Sequence, residues 1–330
     1  MESTLRKRLI RQARFQACVR AFFDARGYVE VDTPTLAPFL IPEPAIEVFR
    51  TELLDRRGDA RPLWLIPSPE LWMKRLLALD SGNIYQVSRS FRNGDVDSPH
   101  HNPEFRLLEW YTLNAGYRDS IDHTEALFDS LMEHAAPGAR RRLSPPFSRL
   151  TMADAFLRHA GIDLEKCQDV GSLACEAARI GVAMPANPTW EEAFHIIFLT
   201  VVEPNLSRAK PLVLLDYPRQ VPTTARQKTG TPWSQRWELY ADGVEIANAY
   251  TEETDSDLLG ALIAHEEERK KGCRIPHETD RGLARVFPAG FPECSGVALG
   301  MDRLEMVFRR EKSLEGVILF PISAILRSHS

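Results

Sequence analysis

The stretch Arg89–Tyr111, RSFRNGDVDSPHHNPEFRLLEWY, constrains the fold more than any other part of the chain. Its first arm, Asn83–Arg92, carries Ile84, Tyr85, Val87 and Phe91, residue types that suit a pleated, half-buried ribbon. The second arm runs from Phe105 to about Thr112. Between them Asn93, Gly94, Asp95, Asp97, Ser98, Pro99 and Asn102 favour turns over regular structure. The spacing predicts a long-looped antiparallel hairpin. Side chains alternate across a strand, so Phe105, Leu107, Glu109 and Tyr111 share one face. A ring, a carboxylate and a phenol on that face, with Arg92 at the base of the loop, suit a flat base, an amine and a phosphate. Taken singly, each residue is as well explained by a solvated ribbon, and only the combination points to a site.

That combination resembles motif 2 of the class II aminoacyl-tRNA synthetases, an arginine followed by a variable loop and His-x-x-x-Phe. The matching residues are Arg92, His101 and Phe105. The resemblance implies that Arg92 meets the α-phosphate of ATP, Phe105 stacks on adenine and His101 lies near the terminal phosphate, with Asn93 and Asn102 beside them. The wording RSFRN, HNPEF and LEWY is most similar to the lysyl branch. Gly94 departs from that branch, which has glutamate there, and the loop is one residue longer. Either Asp95 takes over the acidic contact or the adenine end of the site is weakened.

Before this hairpin, residues 4–26 show an apolar stripe through Leu5, Leu9, Ala13 and Ala17, predicting a helix capped by Ser3 or Thr4 and stopped at Gly27. Tyr28–Asp32 then alternates as a short strand ended by Pro34. This order resembles motif 1, which implies a homodimer interface. An apolar strand at 63–66 runs into Ser68-Pro69-Glu70, a helix start with serine at the cap. That helix passes Met73, Leu76 and Leu77 and ends near Gly82. The helix dipole alone explains Glu70; the resemblance implies that Ser68, Pro69 and Glu70 contact a substrate amine. From about 122 to 209 the pattern is mostly helical, over 123–134, 152–159, 172–180 and 190–202, and reads as an insertion. Its histidines, His123, His134, His159 and His195, read as surface or packed residues, lacking acidic or cysteine partners at metal spacing.

Leu212–Leu215 is an apolar strand, and the polar segment after it, through Pro232, reads as a loop near the site. A second hairpin, 236–241 and 244–250, is joined by Asp242-Gly243, a strong two-residue turn signal. That register sets Val244 opposite Ala241 and Ala247 opposite Glu238, with Glu238 and Glu245 diagonal on one face. Two such acids suit Mg²⁺ beside a triphosphate, although exposed strand acids are the plainer explanation. The resemblance favours the metal, and implies Ile246 in the ATP site and Asn248 and Glu252 in substrate binding. Alternation puts Asn248 on the face opposite Glu245 unless a bulge intervenes. In His265–Arg269 no second histidine completes a zinc-protease helix, and the segment reads as a charged face pairing Glu266 with Lys270 and Glu267 with Lys271. Gly296-Val-Ala-Leu-Gly300-Met-Asp-Arg303 resembles motif 3, which implies Gly300 and Arg303 at ATP and Ala298 in the amino-acid pocket.

The expected fold is α+β, a class II synthetase-like antiparallel sheet flanked by helices, with a helical insertion between motifs 2 and 3. One catalytic domain spans 1–330, and because 26 residues precede Gly27, no N-terminal anticodon-binding domain is expected. Five cysteines without a Cys-x-x-Cys pair point to reduced thiols and a cytoplasmic setting. No apolar run approaches the roughly 18 residues of a membrane span. The net charge of −5 gives no global footprint for nucleic acid, so full tRNA recognition is not expected. No Ser-His-Asp set, P-loop or dinucleotide fingerprint appears. The parts suit adenylation, with Arg92, Arg303 and Mg²⁺ supplying positive charge to ATP, while Glu70, Glu109, Tyr111 and Glu252 suit a diamine such as lysine or an isomer. Nearly the whole chain resembles truncated lysyl-tRNA synthetase paralogues that attach (R)-β-lysine to elongation factor P, and Ala298 stands where lysyl enzymes have glycine. Two alternatives remain: a lysine-activating ligase with another acceptor, RNA or small molecule, and a catalytically silent binding subunit. Gly94 favours the silent subunit; Arg92, Phe105, Glu238, Glu245 and Arg303 oppose it.

Overall fold

The computed structural model describes residues 4–94, 98–280, 282 and 291–328. Helix α1 (Thr4–Asp24) leads to strands β1 (Val29–Glu30), β2 (Leu36–Ala37), β3 (Phe49–Leu54) and β4 (Ala60–Leu65), then to α2 (Glu70–Ala78). The hairpin β5 (Ile84–Phe91) and β6 (Glu104–Leu113) precedes α3 (Tyr117–Ser130), α4 (Ala139–Leu143), β7 (Ser148–Thr151), α5 (Met152–Ala160), α6 (Val170–Arg179) and α7 (Trp190–Ile197). The last part holds β8 (Leu212–Pro218), β9 (Trp233–Ala241), β10 (Val244–Thr251), α8 (Ser256–Lys271), β11 (Cys294–Gly300), α9 (Met301–Arg309) and α10 (Ile322–Ser328).

Eight strands form one sheet in the order β1-β5-β6-β11-β10-β9-β8-β7. It is antiparallel except at its edges, where β1 runs parallel to β5 and β7 to β8. Alternation along the central strands separates two faces. Leu108, Trp110, Trp237, Leu239, Val297 and Leu299 turn to one side, where they pack with Phe15, Phe23, Phe128 and Phe308 of α1, α3 and α9. Trp237 is fully buried, and its indole N–H donates to the Tyr117 carbonyl at 2.6 Å, so burial leaves no orphaned donor. Glu109, Tyr111, Arg236, Asn248 and Ala298, on the other face, line a cavity. A separate apolar cluster including Phe156, Phe194, Leu214 and Tyr240 seats α5 and α7 on β8 and β9.

Both expected hairpins form. Asp242 and Gly243 adopt φ of 55° and 80°, the left-handed pair that a two-residue turn requires. Within β10 the register slips: Glu245 faces Tyr240, but Ala247 faces Leu239. Ile246 is therefore an extra residue, and the expected Ala247 opposite Glu238 is corrected to Asn248 opposite Glu238. The bulge turns Ile246 into the core and sets Glu245 and Asn248 on one face.

Other expectations need correction. Pro69, not Ser68, takes the cap position of α2, without any side-chain cap bond. The helix ends at Ala78 rather than near Gly82, because Asp80 and Gly82 take positive φ. The first strand shrinks to Val29–Glu30, where β5 offers partners. The mostly helical region contains β7, which pairs with β8; four residues carry too little alternation to reveal a strand without its partner. The last helix expected there ends at Ile197 and continues as a wider turn over Phe198–Val202. Ser3 and Asp95, both named in the expectations, lie outside the described residues. All five cysteines are free thiols. Among the described residues no helix is long and apolar enough to cross a membrane.

Candidate active site

The charged face of the sheet opens on a cavity of 330 Å³. One end gathers Glu70 from the start of α2, Glu109 and Tyr111 from β6, and Glu252, one residue past β10. Tyr111 donates to Glu109 Oε1 at 2.7 Å. The other oxygen, Glu109 Oε2, and Glu252 Oε1 are buried with no hydrogen-bond donor among the described residues. Orphaned buried carboxylate oxygens are costly. Lys74 offsets part of that cost: its fully buried ammonium reaches Glu70 Oε1 at 2.5 Å and Glu252 Oε2 at 2.9 Å, and donates to Thr224 Oγ1 at 3.0 Å. Were all three carboxylates ionised, one ammonium would leave two negative charges uncompensated. Burial, against the pull of Lys74, pushes Glu252 up to about 7. Burial and then the Glu70 charge raise Glu109 well above the usual carboxylate range.

Ala298 sits in the floor, paired across the strands with Glu109 on one side and Asn248 on the other. Asn248 Oδ1 accepts from Arg236 Nε at 3.1 Å. Gly296 permits the acids to close: a Cβ there would lie 2.6 Å from Tyr111 Cε1 and 2.7 Å from Glu252 Oε1. At Gly300 the nearest atom to such a Cβ would be 3.6 Å away, so crowding does not demand glycine. Ser68 also lines the cavity, and Pro69 is buried beside it.

The residues expected at ATP gather round Arg92 and Arg303. The Arg92 guanidinium stands 5.3 Å from the Phe105 ring centroid and forms no ion pair among the described residues. Arg303 donates from Nε to the His100 carbonyl (3.2 Å) and from Nη1 to the Glu245 carbonyl (2.9 Å), and its Nη2 lies 2.5 Å from His101 Nε2. Asn93 and Asn102 brace the loop: Asn93 Oδ1 accepts from the Gly94 N–H, and Asn102 Oδ1 from the Ile322 N–H. The Ile246 side chain lies in the core, leaving only its backbone to face a ligand.

Glu238 and Glu245 fit a divalent cation. Burial and then the Glu238 charge raise the Glu245 carboxyl against the pull of Arg303, Arg92 and Arg236, and Glu245 Oε2 lies 3.6 Å from Arg303 Nη1. Glu238 accepts from Arg236 Nη2 and Tyr240 Oη, both at 2.8 Å, and each oxygen retains a further lone pair.

Several site-forming residues escaped the sequence reading. Lys74 has a faint signal, since it interrupts the stripe Leu71, Lys74, Leu77 on the buried face of α2. Lys270 was expected on a solvated face paired with Glu266; instead it is buried and donates to the Glu43 and Ile46 carbonyls, while Glu266 pairs with Arg269 at 2.9 Å. A tertiary hydrogen-bonding opportunity outweighs the local i,i+4 pairing there. His195, expected at the surface or in packing, lines the cavity. Cys18 comes within 4.8 Å of Glu133 and His134, so that histidine does have cysteine and acidic neighbours, contrary to expectation. A buried network also joins β6 to α9, with Arg106 Nη2 at 2.6 Å from Asp302 and 2.8 Å from Glu305.

Comparison with known proteins adds an independent line. A family profile described as tRNA synthetases class II (D, K and N) matches residues 1–324. The elongation factor P (R)-beta-lysine ligase of Yersinia enterocolitica is 34% identical over 319 residues, covering 95% of this chain and 94% of that protein. Its namesake from Haemophilus influenzae strain PittGG is 32% identical over 323 residues, covering 96% and 95%. A lysine–tRNA ligase of Pelotomaculum thermopropionicum is 34% identical over 318 residues, covering 93% of this chain and 61% of that protein's length. The antiparallel sheet, its two hairpins and a profile match along almost the whole length agree: this chain belongs to the class II tRNA synthetases of the D, K and N group.

Proposed function

We propose that this chain activates lysine or (R)-β-lysine with ATP and transfers it to a lysine side chain of elongation factor P. The observation that carries the donor assignment is the pair of unpartnered buried oxygens, Glu109 Oε2 and Glu252 Oε1, at the end of the cavity where Glu70, Glu109 and Glu252 meet the single ammonium of Lys74 among the described residues. A diamine supplies the two missing charges, whereas a neutral side chain would leave a buried carboxylate unpaired. The acceptor assignment rests on the names of the two full-length relatives, which share about a third of their residues with this chain. Relatives named lysine–tRNA ligase favour tRNA as the second acceptor to test.

In activation the donor carboxylate attacks the α-phosphorus, a new P–O bond forms, and the bond to the β-phosphate breaks as pyrophosphate leaves. The protein supplies position and charge rather than a nucleophile. Arg92, over the Phe105 ring, holds the α-phosphate beside an adenine stacked on Phe105. Arg303, steered by the Glu245 carbonyl and His101, meets the terminal phosphate. Glu238 and Glu245 would hold Mg²⁺, which when bound would neutralise phosphate charge. Glu70, Glu109 and Glu252 orient the amines. Gly94 leaves the adenine end without the branch's glutamate. One catalytic unit, with the helical layer of α5–α7 as its insertion, accounts for these roles, and a homodimer fits the exposed Leu5 and Leu9 of α1 and Val29 on edge strand β1. The assay is the mass of elongation factor P, and separately of tRNA, after incubation with ATP and each lysine isomer. Addition of one lysyl unit to elongation factor P supports the reading; modification of tRNA alone overturns the acceptor.

Two consequences follow from the pocket chemistry. Glu252 and Glu109 must both be ionised to meet ammonium groups, so donor affinity rises with pH, the Glu252 step alone contributing roughly tenfold from pH 6 to pH 8, with protons released on binding. The raised Glu252 carboxyl stabilises the unliganded fold below about pH 4.5, and that contribution is lost as pH climbs to about 7. Calorimetric titration in buffers of different ionisation enthalpy reads the proton release, and a pH-independent affinity contradicts it. Ala298→Gly removes a methyl between Glu109 and Asn248. It is expected to shift the ratio of kcat/KM for the two lysine isomers by roughly tenfold, the scale of one methylene in a pocket; an unchanged ratio removes Ala298 as the discriminator.

A further inference from the structure

The cavity extends past the donor acids to a wall formed by Glu43, which stands between Pro42 and Pro44. Flanking prolines restrict the backbone. From behind, α8 clamps the segment: Lys270 Nζ donates to the Glu43 carbonyl at 3.3 Å and the Ile46 carbonyl at 2.5 Å, and Cys273 Sγ, just beyond α8, to the Pro44 carbonyl at 3.4 Å. A buried lysine spent on holding a short turn marks the placement of that turn as important. The Glu43 carboxylate itself makes no hydrogen bond or ion pair among the described residues, although it lies in the field of Glu70 and Lys74 of α2, Arg92 after β5 and Lys270 of α8. Glu191, His195, Glu266 and Arg269 complete that side of the wall. Burial above all, and then the Glu70 charge, push the Glu43 carboxyl up to about 7, a value suited to proton transfer near neutrality.

Its position is informative on the adenylation reading, on which this inference rests. If Arg92 holds the α-phosphate and Glu70 an amine of the donor, the acyl carbonyl lies between them. Glu43 lines the same cavity as Arg92 and Glu70, and its carboxylate, without a hydrogen bond or ion pair among the described residues, is open to an acceptor amine entering there.

We propose that Glu43 is the general base of the transfer step, accepting a proton from the incoming acceptor ammonium. The neutral amine then attacks the carbonyl carbon of the acyl-adenylate. A C–N bond forms, the C–O bond to the phosphate breaks, and AMP departs with that electron pair. The second proton lost by nitrogen goes to solvent, giving a neutral amide and AMP.

The test compares two half-reactions of the full-length protein: ATP–pyrophosphate exchange, which does not involve the acceptor, and single-turnover transfer from pre-formed adenylate to elongation factor P, measured from pH 6 to 8.5. Wild-type transfer should rise with pH through about 7. Glu43→Gln should lower transfer about 10²–10⁴-fold more than it lowers exchange near pH 7, and should replace the levelling above about pH 7 by a rise that continues to pH 8.5, as the free acceptor amine does. Glu43→Asp should keep the pH-dependent rise at a reduced rate. Transfer by the glutamine variant at the wild-type rate, or equal losses in both half-reactions, overturns the assignment. Absence of exchange in the wild type is a different result: it overturns the adenylation reading and takes this inference with it.

Discussion

Replacing Arg92 with alanine is expected to slow ATP–pyrophosphate exchange by about 10²–10³-fold while hardly changing the stability of the fold. The size follows from removing one preorganised cation from developing charge at phosphorus, about 3–4 kcal/mol. Stability should survive because the guanidinium has no ion pair among the described residues, only the face of Phe105. Ring and guanidinium together contribute about 0.5–1 kcal/mol at most where solvent reaches them. Exchange rate and urea midpoint, measured on the same preparation, separate the two effects. A variant that unfolds in proportion to its loss of exchange would give Arg92 a structural role instead.

Asp302→Ala should do the reverse and strike the fold first. Asp302 accepts the Arg106 backbone N–H at 2.7 Å and two bonds from its guanidinium, at 2.8 and 2.6 Å, all in a buried setting. Removing the aspartate leaves Arg106 with Glu305 alone, and Glu305 is also approached by Arg309. Breaking one partner out of a buried ionic network costs about 3–5 kcal/mol. A lowered urea midpoint at unchanged slope reads it; a loss under about 1 kcal/mol contradicts the network's importance. Exchange should fall too, because the network fixes the residues next to Phe105 and Arg303, both proposed to meet ATP.

The contrast between these variants shows which parts of the molecule were legible in the sequence. Arg92, Phe105 and Arg303 lie in local patterns, where alternation, turn residues and a strand–helix junction leave period-two and loop signatures. The bulge at Ile246 was also approachable, because parity alone put Glu245 and Asn248 on opposite faces and function wanted them together. By contrast, Arg106 and Asp302 stand 196 residues apart, and no local pattern relates them. Lys74 and Lys270 look like ordinary surface lysines until the sheet supplies Glu252 for one and the Glu43 turn for the other. Glu43 lies in a proline-broken stretch with no period to read. Burial of charge is a tertiary property, so the charged residues that the sequence reading missed are those whose partners are distant in the chain.

The measurement that most directly tests the central claim is ATP–pyrophosphate exchange by the purified protein with magnesium, comparing L-lysine, (R)-β-lysine and a neutral amino acid of similar length. Exchange is expected with at least one lysine isomer and none above background with the neutral analogue. Exchange that does not distinguish lysine from the neutral analogue would contradict the diamine pocket, and no exchange with any of them from folded protein would contradict adenylation itself.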